Sequence, residues 1–144
     1  MVIKKQSGSQ TIEFAMVIVP LLIVFLAVFE LTRFLWTGFI LDSAVASSAR
    51  EVRVLTASSD VLNKMKNVIA GFPLLKSESI TVTATKYADS VESLANNNMT
   101  SVSNAVLAEY QISYQFSFVV VPYLAEQFPS VSELKRTVLV SYDA

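Results

Sequence analysis

The pattern of apolar and polar positions divides the chain into one long apolar run and a mixed remainder. From Phe14 to Phe29 no side chain carries a charge, an amide or a hydroxyl group. A bilayer core is about 30 Å thick, so a helix that rises about 1.5 Å per residue crosses it with about 20 apolar residues. The run, which extends to Leu31, meets this length. It predicts a membrane-spanning helix.

Beyond Trp36 the apolar residues recur at helical spacing, with polar residues between them. They are Leu41, Val45, Ala49, Val52 and Leu55. We therefore expect the spanning helix to continue as an amphipathic stem whose apolar stripe is covered by another part of the chain. A second helix is predicted from Ser59 to Ala70, with an apolar face for core packing, a serine cap at its start, and Gly71 and Pro73 at its end.

Three later segments read as strands. Apolar and polar residues alternate from Ser79 to Tyr87 and from Tyr110 to Val120, which is typical of half-buried strands. A third strand is expected from Leu134 to Tyr142, after a break at two prolines. The segment from Ala88 to Asn104 is rich in Ser and Asn and is interpreted as a solvated connection with one helical turn.

These elements predict an α+β fold. A long N-terminal transmembrane helix continues into the amphipathic stem, and the stem packs with a short helix and a small antiparallel three-stranded sheet. We divide the chain into a leader at residues 1–8, a transmembrane helix at 9–41 and a small extracytoplasmic domain at 42–144. The alternative of a secretory signal peptide fits poorly, because its apolar region would be about twice the usual 7 to 15 residues.

Charged residues within the apolar segment are candidate functional residues. Glu13 stands at its entry, where an ionised carboxylate costs several kcal/mol unless it is paired or reaches the headgroups by snorkelling. Glu30 and Arg33 are three residues apart on one helical face, which permits an intrahelical ion pair near the outer interface. Pro20 removes one backbone hydrogen bond, and both a harmless kink and a locally extensible helix are consistent with it.

Composition excludes much chemistry. The chain has no cysteine and no histidine, so thiolate metal sites, the usual general base and the commonest zinc ligand are absent. With three glycines a phosphate-binding loop could hardly be built. We therefore expect no enzyme activity, no metal and no cofactor. The net charge of −1 gives no reason to expect nucleic-acid binding.

The N-terminal residues together resemble the TadE-like family, the minor pilins of the tight-adherence (Flp) pilus machinery. The matching elements are Gly8, Thr11-Ile12-Glu13-Phe14-Ala15, Pro20-Leu21-Leu22, Glu30, Arg33 and the run from Ser47 to Arg53. The resemblance implies that a prepilin peptidase cleaves after Gly8, so that Ser9 becomes the first residue and Glu13 the fifth. It also implies that Glu13 pairs with the terminal amine of a neighbouring subunit during assembly, while Pro20, Glu30 and Arg33 serve helix packing.

By this resemblance the protein is a minor pilin or pseudopilin that assists or primes pilus assembly through contacts. Its expected partners are the inner membrane, other minor pilins, the major Flp pilin, the assembly platform and the prepilin peptidase. Lys4 and Lys5 before the span favour a cytoplasmic N-terminus and a periplasmic domain, with incorporation into the pilus left open. The alternatives are a permanently anchored extracytoplasmic binding or sensor module and a pseudopilin of a related secretion system.

Overall fold

The computed structural model of the protein describes residues 7–142, so residues 1–6 of the predicted leader lie outside the described part of the chain. The helices are α1 (Ser7–Val52), α2 (Ser59–Ala70), α3 (Val91–Ala95), α4 (Tyr123–Gln127) and α5 (Pro129–Ser132). The strands are β1 (Ile80–Ala88), β2 (Leu107–Gln115) and β3 (Glu133–Ser141). Single 3₁₀ turns occupy Ser77–Ser79 and Val102–Asn104. The α+β class is confirmed.

Helix α1 contains both the predicted spanning segment and the predicted stem. Its 46 residues give it a length of roughly 69 Å. It continues through Pro20 without ending. The stem half packs on the domain and buries Leu41, Ala44 and Val52 completely. The amphipathic stem predicted from the spacing of apolar residues is therefore confirmed.

Helix α2 has the bounds expected from the sequence and covers one side of the stem. Its buried residues are Val61, Met65 and Ile69. Ser58 occupies the N-cap position, but its side chain makes no capping hydrogen bond. A salt bridge of 2.6 Å between Lys64 and Glu51 joins α2 to α1 at the surface.

The sheet is antiparallel with β2 in the centre and has the order β1-β2-β3. At one end Ala88 faces Leu107, and at the other Ile80 faces Tyr114. Strand β2 was predicted from residue 110 to 120 but runs from Leu107 to Gln115. It ends early because β3 begins only at Glu133, so the chain beyond Gln115 has no ladder partner past the Phe116 amide, which bonds Ser132.

The core lies between the stem of α1, helix α2 and one face of the sheet. Within it the hydroxyl groups of Tyr110 and Tyr142 form a hydrogen bond, and Tyr87 meets Tyr110 edge-on with ring centroids 6.4 Å apart. Burial raises the pKa of both hydrogen-bonded phenols above their ordinary value. At the margin of this core an ion pair between Arg136 of β3 and Asp42 of α1 ties the sheet to the helix.

The connection between β2 and β3 differs most from expectation. The two prolines predicted a break, whereas the chain forms the short helices α4 and α5 there, with Pro129 in the first turn of α5. The turn predicted in the Ala88 to Asn104 connection is present as α3. Ser90 caps α3 because its side chain accepts a hydrogen bond from the amide of Ser93.

Candidate functional site

The predicted site residues lie in two separate groups along α1. Gly8 and Ser9 belong to its first turns, and Glu13 follows one turn later with an exposed side chain. Glu30 and Arg33 stand in the second half of the helix. Glu13 and Glu30 lie roughly 25 Å apart along the axis, so the structure does not bring the two groups together. The processing and pairing roles remain predictions.

The first half of α1 is an apolar surface that no described part of the chain covers. Its most apolar window of 18 residues has a mean hydropathy of 2.8, and none of that window is buried. The exposed side chains include Phe14, Leu21, Phe25 and Phe29. By length and composition α1 is a candidate membrane span, consistent with a single-pass membrane protein.

Glu30 and Arg33 form the ion pair that their spacing permits. Arg33 donates from Nη1 to Oε1 of Glu30. Glu30 is only 5% exposed, so its charge depends on partners that replace water. The guanidinium of Arg33 also lies 5.3 Å from the ring centroid of Phe116, within the distance of a cation–π contact.

The second oxygen of Glu30 binds the connection between β2 and β3. The backbone amides of Val119 and Val120 donate to Oε2 at 3.0 Å and 2.8 Å. Glu30 therefore accepts hydrogen bonds from three donors. Reasoning from sequence found the intrahelical partner but missed these two amides. Apart from the bare presence of an acid in an apolar helix, the sequence holds no signal for contacts some 90 positions away.

Aromatic contacts also hold the same connection against α1, with one phenylalanine on the helix and two on the connection. Phe34 lies edge-on to Phe116, with ring centroids 5.3 Å apart, and stacks with Phe118 at 6.1 Å. Phe116 and Phe118 also meet edge-on at 5.1 Å. Aromatic pairs of this kind contribute about 0.5 to 1.5 kcal/mol beyond their buried area. The alternation seen in the sequence beyond β2 thus reflects packing against the helix and not strand pairing.

A groove of about 570 Å³ opens beside this cluster, between α1, the chain at residues 74–76 and the end of β2. Its walls include Trp36, Arg33, Lys76 and Tyr114. The Tyr114 hydroxyl donates to the carbonyl of Leu74 at 3.2 Å. Leu74 has a left-handed backbone, with φ of 68°, which costs a non-glycine residue energy and shows that the wall is held in place.

The arrangement provides contact surfaces. Among residues 7–142, no group of three acidic side chains is placed to hold a metal ion. The two notable surfaces are the uncovered half of α1 and the anchored connection at Glu30. Both are suited to packing against lipid or other helices.

Comparison with known proteins shows what helix α1 is similar to. Residues 8–50 match the sequence model of the family described as TadE-like protein. The match starts at Gly8, contains Glu13, Pro20, Glu30 and Arg33, and ends in the stem. No curated protein and no solved structure matches the chain. The resemblance identified from the sequence is confirmed for this part of the chain: residues 8–50 are similar to the TadE-like family, whose name is that of a Tad pilus protein.

Proposed function

We propose that this protein is a minor pilin or pseudopilin that assists or primes assembly of a Flp/Tad-type pilus through subunit contacts. The observation that carries the proposal is the uncovered apolar half of α1, which coincides with the TadE-like match. A helix that its own domain leaves bare for some 18 residues needs lipid or other helices around it. Both environments are available to a subunit that passes from a membrane into a helical filament.

The first step of the proposed mechanism is cleavage after Gly8, which creates an α-amino group on Ser9. This cation stands one helical turn before Glu13. In an assembly the amine of one subunit neutralises the Glu13 carboxylate of its neighbour, and the pairing sets the axial register. A charge left unpaired in such surroundings costs on the order of 3 to 5 kcal/mol, so misplaced subunits are disfavoured.

The proposed setting is the inner membrane, with the N-terminus in the cytoplasm and the domain in the periplasm. The partners are other minor pilins, the major Flp pilin and the assembly platform, after processing by the prepilin peptidase. The hydrogen bonds from Val119 and Val120 to Glu30 support a role in assembly, because they join the domain to the helix. An axial shift of the helix then moves the domain with it.

Intact-mass measurement of the membrane-extracted protein tests the proposal. Cells with a prepilin peptidase should yield a chain that starts at Ser9, and cells without it the full-length chain. Gly8→Val should block cleavage, whereas Gly38→Val should leave it unchanged. A full-length N-terminus in both strains would instead favour the permanently anchored binding or sensor module.

Partner identity separates the pilus from a related secretion system, because both share the processing step. A photo-crosslinking residue placed at Val17, which is exposed on α1 near Glu13, should capture Tad pilins. Capture of secretion-system pseudopilins only would reject the Tad assignment while leaving the processing step intact.

A further inference from the structure

The connection between β2 and β3 has an unusual composition for a surface segment. Residues 116–132 contain one charged residue, Glu126, among two prolines and a majority of apolar side chains. Several of the large ones are exposed: Val119, Val121, Tyr123, Phe128 and Val131. Exposed apolar side chains clustered in one segment mark a surface that contacts a protein or a membrane.

The position of this segment along α1 indicates that the surface contacts a membrane. Its amides at Val119 and Val120 bind Glu30, which lies roughly 25 Å beyond Glu13 along the helix axis. The exposed surface of α1 remains apolar past that level, through Trp36 and Phe39. A bilayer with its headgroups is about 40 to 45 Å thick. With α1 spanning the bilayer as proposed, the segment lies beside a part of α1 that is still in contact with lipid.

Glu30 provides a hydrogen-bond acceptor that the backbone amides of a segment in this position need. An irregular backbone at membrane depth leaves amides without water to bind, and each unsatisfied group costs several kcal/mol. The carboxylate of Glu30 accepts hydrogen bonds from the amides of Val119 and Val120, and Arg33 balances its charge. This combination satisfies two amides of the non-helical chain where it lies against α1.

We infer that residues 116–132 form a lipid-facing wedge, which enters the leaflet on the side of the folded domain. Val119, Val121 and Phe128 contact acyl chains, and Tyr123 lies at the headgroup level, where aromatic side chains are enriched. The wedge fixes the height and tilt of the domain over the membrane. This inference rests on the membrane span of the proposed function.

Helix α3, at the far end of the sheet, supplies a matched control for the wedge. Strand β2 descends from Leu107 to Gln115, a length of roughly 27 Å, and leads directly into the wedge. Helix α3 follows Ala88, which pairs with Leu107 at the far end. Val91 on α3 is 71% exposed and Val119 is 70% exposed. The two valines are almost equally exposed, but their expected distances from the membrane differ.

Fluorescence quenching in lipid nanodiscs tests the inference. Because the chain has no cysteine, the variants Val119→Cys, Tyr123→Cys, Val91→Cys and Val24→Cys each carry one label. The full chain is placed in phosphatidylcholine and phosphatidylglycerol nanodiscs, with nitroxide lipids as the membrane quencher and iodide as the aqueous one. Val24, exposed in the middle of the apolar run, reports the span itself.

Labels at Val119 and Tyr123 should be quenched by nitroxide lipid severalfold more than the label at Val91, and quenching by iodide should show the opposite order. If Val24 is quenched by lipid but both wedge labels behave like Val91, the wedge is rejected and the span stands. Wedge labels shielded from both quenchers would show protein cover, which also rejects it. If the label at Val24 is not quenched by nitroxide lipid, both the membrane span and the wedge are rejected.

Discussion

Glu30 accepts a hydrogen bond from the backbone amide of Val120 at 2.8 Å, although 90 positions separate the two residues in the chain. This contact joins the middle of the long helix to the loop that follows the central strand. It gives Glu30 a second role beside its ion pair with Arg33.

Glu30→Gln should destabilise the folded domain by about 1 to 3 kcal/mol. The amide keeps one acceptor oxygen, but Arg33 loses its counter-charge and the two loop amides lose a charged acceptor. Urea unfolding of the detergent-solubilised full chain, followed by the fluorescence of Trp36, measures the change. Glu51→Gln breaks an exposed pair with Lys64 and should cost less than about 1 kcal/mol. Equal losses for the two variants would contradict the anchoring role.

Leu41→Ala should cost about 2 to 5 kcal/mol, because the side chain is fully buried between α1 and the domain. Leu35→Ala, six positions earlier on the same helix, removes a side chain that is more than half exposed. It should change the free energy of unfolding by well under half as much. The same urea experiment compares them, and a larger effect at Leu35 would mean that the domain packs on a different face of α1.

The domain should lose stability as the pH rises above about 10. Burial raises the pKa of Tyr110, Tyr114 and Tyr142, so these phenols stay protonated in the folded state while those of the unfolded chain ionise near pH 10. Their stabilising contribution is complete below that pH and is lost above it, with a slope of about 1.4 kcal/mol per pH unit for each proton.

Tyr110→Phe should make this alkaline loss shallower, as measured by urea midpoints between neutral and strongly alkaline pH. The matched variant Tyr123→Phe changes an exposed tyrosine and should leave the profile unchanged. Identical profiles for the wild type and Tyr110→Phe would show that ionisation of the buried pair does not govern alkaline unfolding.

Glu13→Gln should leave cleavage after Gly8 largely intact while abolishing or strongly reducing piliation. In the proposed mechanism the peptidase recognises Gly8, whereas the neighbouring subunit recognises the carboxylate of Glu13. Intact mass reports the first step and electron microscopy of cell surfaces the second. Glu51→Gln, an acid in the stem of the same helix, should affect neither. Normal piliation in the Glu13 variant would remove this residue from the assembly mechanism.

Local patterns accounted for most of the fold. The bounds of α2 were predicted without error, and the three strands and their antiparallel arrangement are confirmed. Periodicity succeeds there because a helix or strand with one buried face repeats that face along the sequence. The end of β2 was placed too late, since the alternation of Phe116 and Phe118 serves packing on Phe34. An alternation with a period of two does not distinguish a paired strand from an extended segment that packs on a helix.

The sequence by itself determined the long apolar helix and its resemblance to the TadE-like family, because an uninterrupted apolar run, a glycine before it and an acid at its entry are all local features. It also placed Glu30 and Arg33 on one helical face. Only the tertiary structure decided what Glu30 binds and where the segment after β2 lies. Backbone amides have the same chemistry in every residue, so no sequence pattern marks Val119 and Val120 as donors until folding brings them to the carboxylate.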